Sequence, residues 1–451
     1  MKYEQFVDQL FEKGKAQGLD SMEVYYQTSK NFETMVFRGE VDKYSISESA
    51  GLSFRAESGG QMGYAFTESL DESAIDMLIQ EAKSNAQVLE VEEDTFIGMP
   101  HDHYEPLPLV SDEIINLPKT DKINYLKEVE KAATSMDDRL QTLGYNVYVE
   151  GVSELAIKNT NGLNLSQKNN MAMSYTMGVA TDGKNSKTGG ILTIGKTFAD
   201  FDVDEIAKKV VKKSVDQLGA KTVPSKSYPV ILENDCASSL LAAFQSVFNA
   251  EMVQKDLSLM KGKLGTPVAA DCVSIIDDPF LKDGYGNISF DAEGTPAQKT
   301  AMVEKGVLKT FLHNLASAKK DGVASTGNGS KASYKASMSI APSNMFIEMG
   351  QRDLEAMAKD IQEGLVIDSL QGIHSGLNTI SGDFSLAASG FMIEDGQVTF
   401  PVDQITVAGN LKDLLLDIEE VGSDLKFSMP MGQSFIASPS LRIKSLSVAG
   451  S

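Results

Sequence analysis

At 451 residues, with 42% hydrophobic and 23% charged side chains, the chain has the proportions of a folded protein of two or three domains, which excludes a disordered, collagen-like or disulfide-scaffold chain. Its 63 Asp and Glu outnumber 41 Lys and Arg to leave a net charge of −22, a field that repels phosphate backbones and anionic lipid surfaces, so neither nucleic acid nor membrane is expected as a direct partner. Only four His and two Cys, Cys236 and Cys272, are available for metal or nucleophile chemistry.

The opening stretch MKYEQFVDQLFEKGKAQG interrupts its apolar positions with charges, unlike a signal peptide, and no uncharged run reaches the ~18 residues of a membrane span. A reducing, cytoplasmic setting is therefore expected. Within that stretch Phe6, Leu10 and Phe11 share a helical face that Gly18 closes. From Glu23 to Thr67, β-branched and aromatic runs separated by turn residues such as Ser58-Gly59-Gly60 predict an antiparallel meander. Ser69 and Glu72 have capping-box spacing ahead of the stripe Ile75, Leu78, Ile79 and Ala82, which predicts a second helix.

An acidic start and Pro100, Pro106, Pro108 and Pro118 then argue against helix or central strand and predict a connector. Residues 146–218 repeat the plan of meander then helix, with Asp202 and Glu205 in cap spacing before Ile206, Val210, Val211 and Val215, up to Gly219. Duplication and the common recurrence of sheet-plus-helix layers both account for this repeat. Pro224 and Pro229 mark a second break, after which a helix is expected from about Cys236 to Val253, tight hairpins at 303–307 and 393–398, and a last helix from Leu411 to Glu420 that starts after Asn410 and ends at Gly422. The fold expected is α+β, with an N-terminal α/β region in two sheet-plus-helix units, 1–90 and 119–222, a connector 91–118, and a β-rich C-terminal domain 223–451.

Most familiar chemistries fail on the residues. Gly284-Tyr285-Gly286 lacks the third glycine of a dinucleotide fingerprint, and Gly322 to Gly327 has phosphate-loop spacing with Asn328 where the lysine is required. No G-x-S-x-G elbow is present, and neither His313 nor His374 is followed by Glu. His101-Asp102-His103 with Glu105 is the one local cluster with ligand character, and its Pro-rich surroundings favour a solvated loop. Asp291 and Glu293 sit in a Gly- and Pro-containing segment without an adjacent nucleophile and read as turn or edge residues.

Longer stretches are more specific. Asp277-Asp278-Pro279, FDAEG at 290–294, GVLKTFLHN, STGNGS, APSNMFIEMG, HSGLNTISGDFSLAASGFMIEDGQ and ITVAGNL, together with SAGLSFRAESGGQMGYAFT near the N-terminus, closely resemble the TldD/PmbA metallopeptidase family over nearly the whole chain. The resemblance implies an N-terminal α/β region in two parts, a β-rich C-terminal domain, and a dimer enclosing a proteolytic chamber. It also implies one of two subunit types. The TldD-like subunit holds zinc with His-Glu-x-x-x-His on a helix and a C-terminal Cys. Matching through Gly262-Lys263-Leu264-Gly265 and Gly432-Gln433 puts Leu241 and Ala242 at the His-Glu positions, Ser246 at the second His and Ser428 at the Cys. Leu and Ala offer no lone pair, and a neutral hydroxyl is a poor zinc ligand.

The resemblance thus implies the TldE/PmbA-like subunit: non-catalytic, without a metal or other cofactor of its own, and dimerised with a zinc-bearing TldD-like subunit or with itself to degrade unfolded or flexible peptides. On the same helix Phe244, Val247 and Phe248 read as packing. Two other readings stand beside this one: a metallopeptidase active on its own through non-standard ligands, with His101, His103 or an acidic group brought in by folding as the candidates, and a peptide-binding regulator that acts indirectly on DNA gyrase.

Overall fold

The computed structural model describes residues 1–88 and 96–450; the acidic start of the connector and the expected 90/91 boundary lie outside the described residues. Phe32, Thr34 and Val36 alternate to one buried face of β1 (Met22–Phe37), the two-residue period of an extended chain. Strands β2 (Glu40–Ser58), β3 (Gln61–Thr67), β4 (Leu140–Asn159), β5 (Asn164–Thr181) and β6 (Ser186–Gly195) join it in one antiparallel sheet of order β3-β2-β1-β4-β5-β6. The two N-terminal units therefore contribute three strands each to a single sheet. They meet where Glu23 to Met35 runs opposite Asn159 to Val147.

Helices α1 (Tyr3–Ala16) and α2 (Glu72–Val88) share one core, in which Phe6 and Leu10 meet Ile75, Leu78, Ile79 and Ala82. The cap of α2 is Asp71 and not Ser69: Ala74 N–H donates to Asp71 Oδ1 at 3.0 Å, while the Ser69 hydroxyl is taken up by Asp71 Oδ2. Within and after the connector stand α3 (Asp112–Asn116) and α4 (Lys119–Met136), two helices the sequence reading passed over. Pro118 occupies the N-cap of α4, where its missing N–H costs nothing, so this proline starts a helix instead of breaking one. Tyr125, Leu126, Val129 and Ala133 give α4 its buried stripe against the second core. Asp202 caps α5 (Val203–Val215) as expected, accepting from Glu205 N–H at 2.8 Å.

Beyond β7 (Lys226–Leu232), the expected helix from Cys236 to Val253 is broken. It is α6 (Asn234–Phe244), a 3₁₀ turn at Gln245–Phe248, and α7 (Ala250–Gln254), restarted because Asn249 accepts hydrogen bonds from Glu251 and Met252 N–H. The chain continues through β8 (Ile275–Asp277), β9 (Thr300–Glu304), β10 (Val307–Leu308), α8 (Leu315–Asp321), β11 (Gly329–Ser330), β12 (Ser339–Ile340), β13 (Asn344–Ile347), α9 (Leu354–Ala358), β14 (Glu363–Gln371), β15 (Asp383–Glu394), β16 (Gln397–Asn410) and α10 (Leu411–Leu416). It ends with β17 (Ile418–Val421), β18 (Lys426–Phe427), β19 (Phe435–Ser438) and β20 (Leu441–Ala449).

The hairpins β9–β10 and β15–β16 turn through Lys305-Gly306 and Asp395-Gly396, all four residues at positive φ, as a type I′ turn requires. Asn410 caps α10 as expected, but that helix stops at Leu416, because Ile418 to Val421 pairs with β20. Five strands, β16-β15-β14-β7-β20, close on themselves through Thr406–Ala408 against Ala449–Ser447, with β17 added outside β20. A second sheet runs β10-β9-β8-β13-β19-β18, and β11 pairs with β12. The largest core joins the closed sheet, α6 and the second sheet. Among the described residues no helix is long and apolar enough to cross a membrane.

Candidate functional site

The helix that the resemblance assigns to zinc is filled with packing groups. Leu241 and Ala242 are buried in the largest core beside Phe244, Val247 and Phe248. Ser246 lies beyond the end of α6, on the 3₁₀ turn, so the three helix positions do not share one α-helix. Ser428 is buried, and its hydroxyl hydrogen-bonds the carbonyl oxygens of Met429 and Ile436 at 3.4 and 3.3 Å. Gln245 reaches Met431 sulfur at 3.6 Å, so the helix end and the loop after Ser428 do come together. What they bring together is not a ligand set, since zinc needs imidazole, thiolate or carboxylate donors. Among the described residues no three His, Cys, Asp or Glu are grouped to hold a metal ion.

His101 and His103 are exposed on the connector, where His103 is 3.3 Å from Glu105. The connector is nevertheless docked: Tyr104 donates its hydroxyl hydrogen to Gly294 O at 3.0 Å, and its ring packs edge-on against Phe290. His313 is buried and bonded to Ser317, and burial holds its imidazole below the usual pKa, hence neutral. Burial pushes the Cys236 thiol well up, which makes it a packing group and not a nucleophile.

Instead, three of the quoted sequence blocks, FDAEG, STGNGS and the stretch that carries Arg55, meet around the turn at 290–296. Asp291 Oδ1 accepts from Glu293 and Thr295 N–H at 2.9 Å each, and its Oδ2 accepts from Gly329 N–H at 2.8 Å. Glu293 Oε2 accepts from Leu315 N–H at 2.8 Å. A Cβ on residue 329 would lie 2.9 Å from Asp291 Oδ2 and 3.0 Å from Glu293 Oε2, so only glycine lets that strand approach. Both acids are turn residues, as expected, yet both are buried rather than at an exposed edge. Burial raises both pKa values; the three N–H donors on Asp291 and the Arg55 charge beside Glu293 oppose the rise. The hydrogen bonds the two acids accept from backbone N–H groups hold the turn against the Gly329 strand and the start of α8.

A third buried acid, Asp277, accepts from Asn328 Nδ2 at 2.7 Å and from Ser343 N–H and Oγ–H at 2.8 and 2.9 Å. Burial outweighs these donors and pushes its pKa up to about 6. A ¹³C carboxyl titration of the folded protein should therefore place the Asp277 midpoint at about 6, above the roughly 3.9 of an unfolded chain. The sign follows: its contribution to stability is full below pH ~4 and is lost as pH rises through about 6. A midpoint below 4 would contradict this account.

The turn also forms part of the wall of a cleft of about 820 Å³ between the N-terminal sheet and the C-terminal domain. Two of its lining groups come from the sheet: Arg55 Nε donates to Glu23 Oε1 at 2.7 Å, and Asn159 Nδ2 holds the other Glu23 oxygen at 3.1 Å. Lys331, next to β11, enters from the other side and donates to Ser53 Oγ at 2.8 Å. Glu23, Arg55 and Lys331 were not singled out from sequence. Arg55 belongs to, and Lys331 directly follows, stretches that carry the family resemblance, whereas Glu23 was marked only as the start of the predicted meander.

Three sequence models of the PmbA/TldA metallopeptidase match the chain in order: domain 1 over residues 22–86, the central domain over 112–218 and the C-terminal domain over 225–450. The chain belongs to this metallopeptidase family. It is 26% identical over 443 residues to a metalloprotease of Methanothermobacter thermautotrophicus, covering 94% of each, and 24% identical over 434 residues to metalloprotease PmbA of Escherichia coli O157:H7, covering 94% of this chain and 92% of that one. A Thermotoga maritima crystal structure, described as a suggested modulator of a DNA gyrase, superposes with a TM-score of 0.92 at 31% identity, covering 99% of this chain and 100% of that one. TldE from Thermococcus kodakarensis shares the fold at a TM-score of 0.90 and 23% identity, covering 99% and 100%.

Proposed function

We propose that this chain is the non-catalytic partner subunit of a cytoplasmic TldD/TldE-type metalloprotease. It pairs with a zinc-bearing TldD-like subunit, or with itself, and completes a closed chamber in which flexible peptides are degraded. The observation that carries this reading is the occupancy of the four ligand positions: Leu241 and Ala242 are core side chains, Ser246 has left the helix, and the Ser428 hydroxyl is bonded to backbone carbonyls. Without ligands this chain has no means of lowering the pKa of a zinc-bound water. The reading of an independent enzyme acting through non-standard ligands such as His101 and His103 is not favoured, because both stand exposed and, among the described residues, no three His, Cys, Asp or Glu are grouped to hold a metal ion.

To test it, the chain is purified alone and together with a TldD-like subunit, and zinc content and cleavage of an unfolded peptide are measured. The chain alone should hold no stoichiometric zinc and cleave nothing, whereas the mixture should cleave. Ser428→Ala should leave the rate of the mixture unchanged. Stoichiometric zinc with hydrolysis by the chain alone would overturn the proposal.

A further inference from the structure

The cleft beside the 290–296 turn has no part in the missing metal site, and its charge runs against that of the chain. Six Lys or Arg and three Glu line it, in a protein with a net charge of −22. Most of those cations are on the rim; two are not. Lys331 is 8% exposed, and its ammonium has one hydroxyl acceptor, Ser53 Oγ at 2.8 Å, and the Tyr25 ring at 4.8 Å. Among the described residues it makes no ion pair, which is a costly state for a buried ammonium with three donors. Arg55 is 9% exposed, and its Nη2, although 2.7 Å from Glu23 Oε1, is out of line for donating and has no hydrogen-bond partner.

We propose that the cleft binds a carboxylate carried by a peptide, seated between the Lys331 ammonium and the Arg55 guanidinium. That the carrier is a peptide rests on the function proposed above; that the group is a carboxylate rests on the cleft itself. A cation would meet two buried positive groups. A dianionic phosphate would satisfy the same donors but place its second charge against Glu23 and Glu293, which also line the cleft. A single negative charge supplies the partner that Lys331 lacks and a counter-charge for Arg55, which lines the same cleft, and a planar carboxylate suits a guanidinium edge. The outer wall suits a chain segment: Tyr64 and Phe66 project from β3, an edge strand of the N-terminal sheet, 38% and 48% exposed. Gln433, on the loop after Ser428, donates to Lys331 O at 3.2 Å, so the cleft adjoins the segment where the family's catalytic subunit carries its Cys.

The test uses the full-length chain and calorimetric titration with acetylated five-residue Gly/Ala peptides. One ends in a free carboxylate, one in an amide, and two further amides carry a central Glu or Gln. The free acid should bind at least about tenfold tighter than its amide, a difference of 1.4 kcal/mol. Preference for the acid end or for central Glu over Gln identifies a terminal or a side-chain carboxylate as the source, and either supports the proposal. Lys331→Gln should reduce the preference to within about threefold while weakening the amide little, a split that a structural role would not produce. Arg55→Lys, which keeps the charge but removes the fork, should reduce it in part. Equal affinity of acid and amide, no binding of any probe, or an undiminished preference in both variants would overturn it. These measurements need neither zinc nor a second subunit, so a negative result here with a working peptidase mixture removes this inference alone.

Discussion

Replacing Arg55 with Met is expected to cost the fold about 3–5 kcal/mol, the range for removing one partner of a buried ion pair. The guanidinium is the buried counter-charge for Glu23, to which Nε donates at 2.7 Å, and its charge also offsets burial at Glu293. Met fills similar volume but removes the guanidinium charge from beside both Glu23 and Glu293, and it leaves the burial that raises the Glu293 pKa unopposed by that charge. Urea unfolding at pH 7 measures the loss. The double variant Arg55→Met with Glu23→Gln should recover part of it, because one of the two carboxylate charges is then gone. A loss below 1 kcal/mol for the single variant would mean that the pair is effectively solvated through the cleft, and the desolvation argument for Lys331 would weaken with it.

Asp291→Ala is expected to destabilise by about 3 kcal/mol or more. Three backbone N–H groups, those of Glu293, Thr295 and Gly329, lose their one carboxylate acceptor, and each unsatisfied buried donor costs about 1–3 kcal/mol. Asp291→Asn should cost distinctly less, since its amide oxygen can still serve the Glu293 and Thr295 N–H groups and only Gly329 loses its acceptor. Chemical denaturation of the three proteins side by side reads this order directly. Equal stability of wild type and Asp291→Ala would show that the turn holds its shape without the carboxylate, and would reopen a chemical role for the acid.

Both predictions concern residues whose importance is written unevenly in the sequence. Asp291 and Glu293 lie in a recognisable block, but their Gly- and Pro-containing neighbours suggested an exposed turn. Burial came from elsewhere, from Gly329 on one side and the docked connector at Tyr104 on the other. Arg55 and Lys331 are separated by more than half of the chain and follow no local spacing, so no sequence pattern could pair them. The four positions that the resemblance matches to zinc ligands were the opposite case. Their residue types were readable at once, because a ligand either carries a donor atom or does not, whereas the commitment of the Ser428 hydroxyl to carbonyl oxygens needed coordinates.

The same division runs through the fold. Features decided by a few consecutive residues were legible from sequence: the Lys305-Gly306 and Asp395-Gly396 turns, the Asp202 and Asn410 caps, and the apolar stripes of α1, α2 and α5. Pro118 misled because a proline interrupts a helix in its interior but opens one at its start, and only the following stripe distinguishes the two. The truncated α10 and the broken α6 were settled by long-range pairing and by a cap at Asn249, which compete with local propensity and win. What the sequence by itself determined about this protein is its family, its acidity and the residue types at positions 241, 242, 246 and 428, because these depend on which side chains are present. The tertiary structure alone decided the joining of two N-terminal units into one sheet, the closure of the C-terminal sheet and the cationic cleft between them, because these depend on which distant side chains share one low-dielectric space.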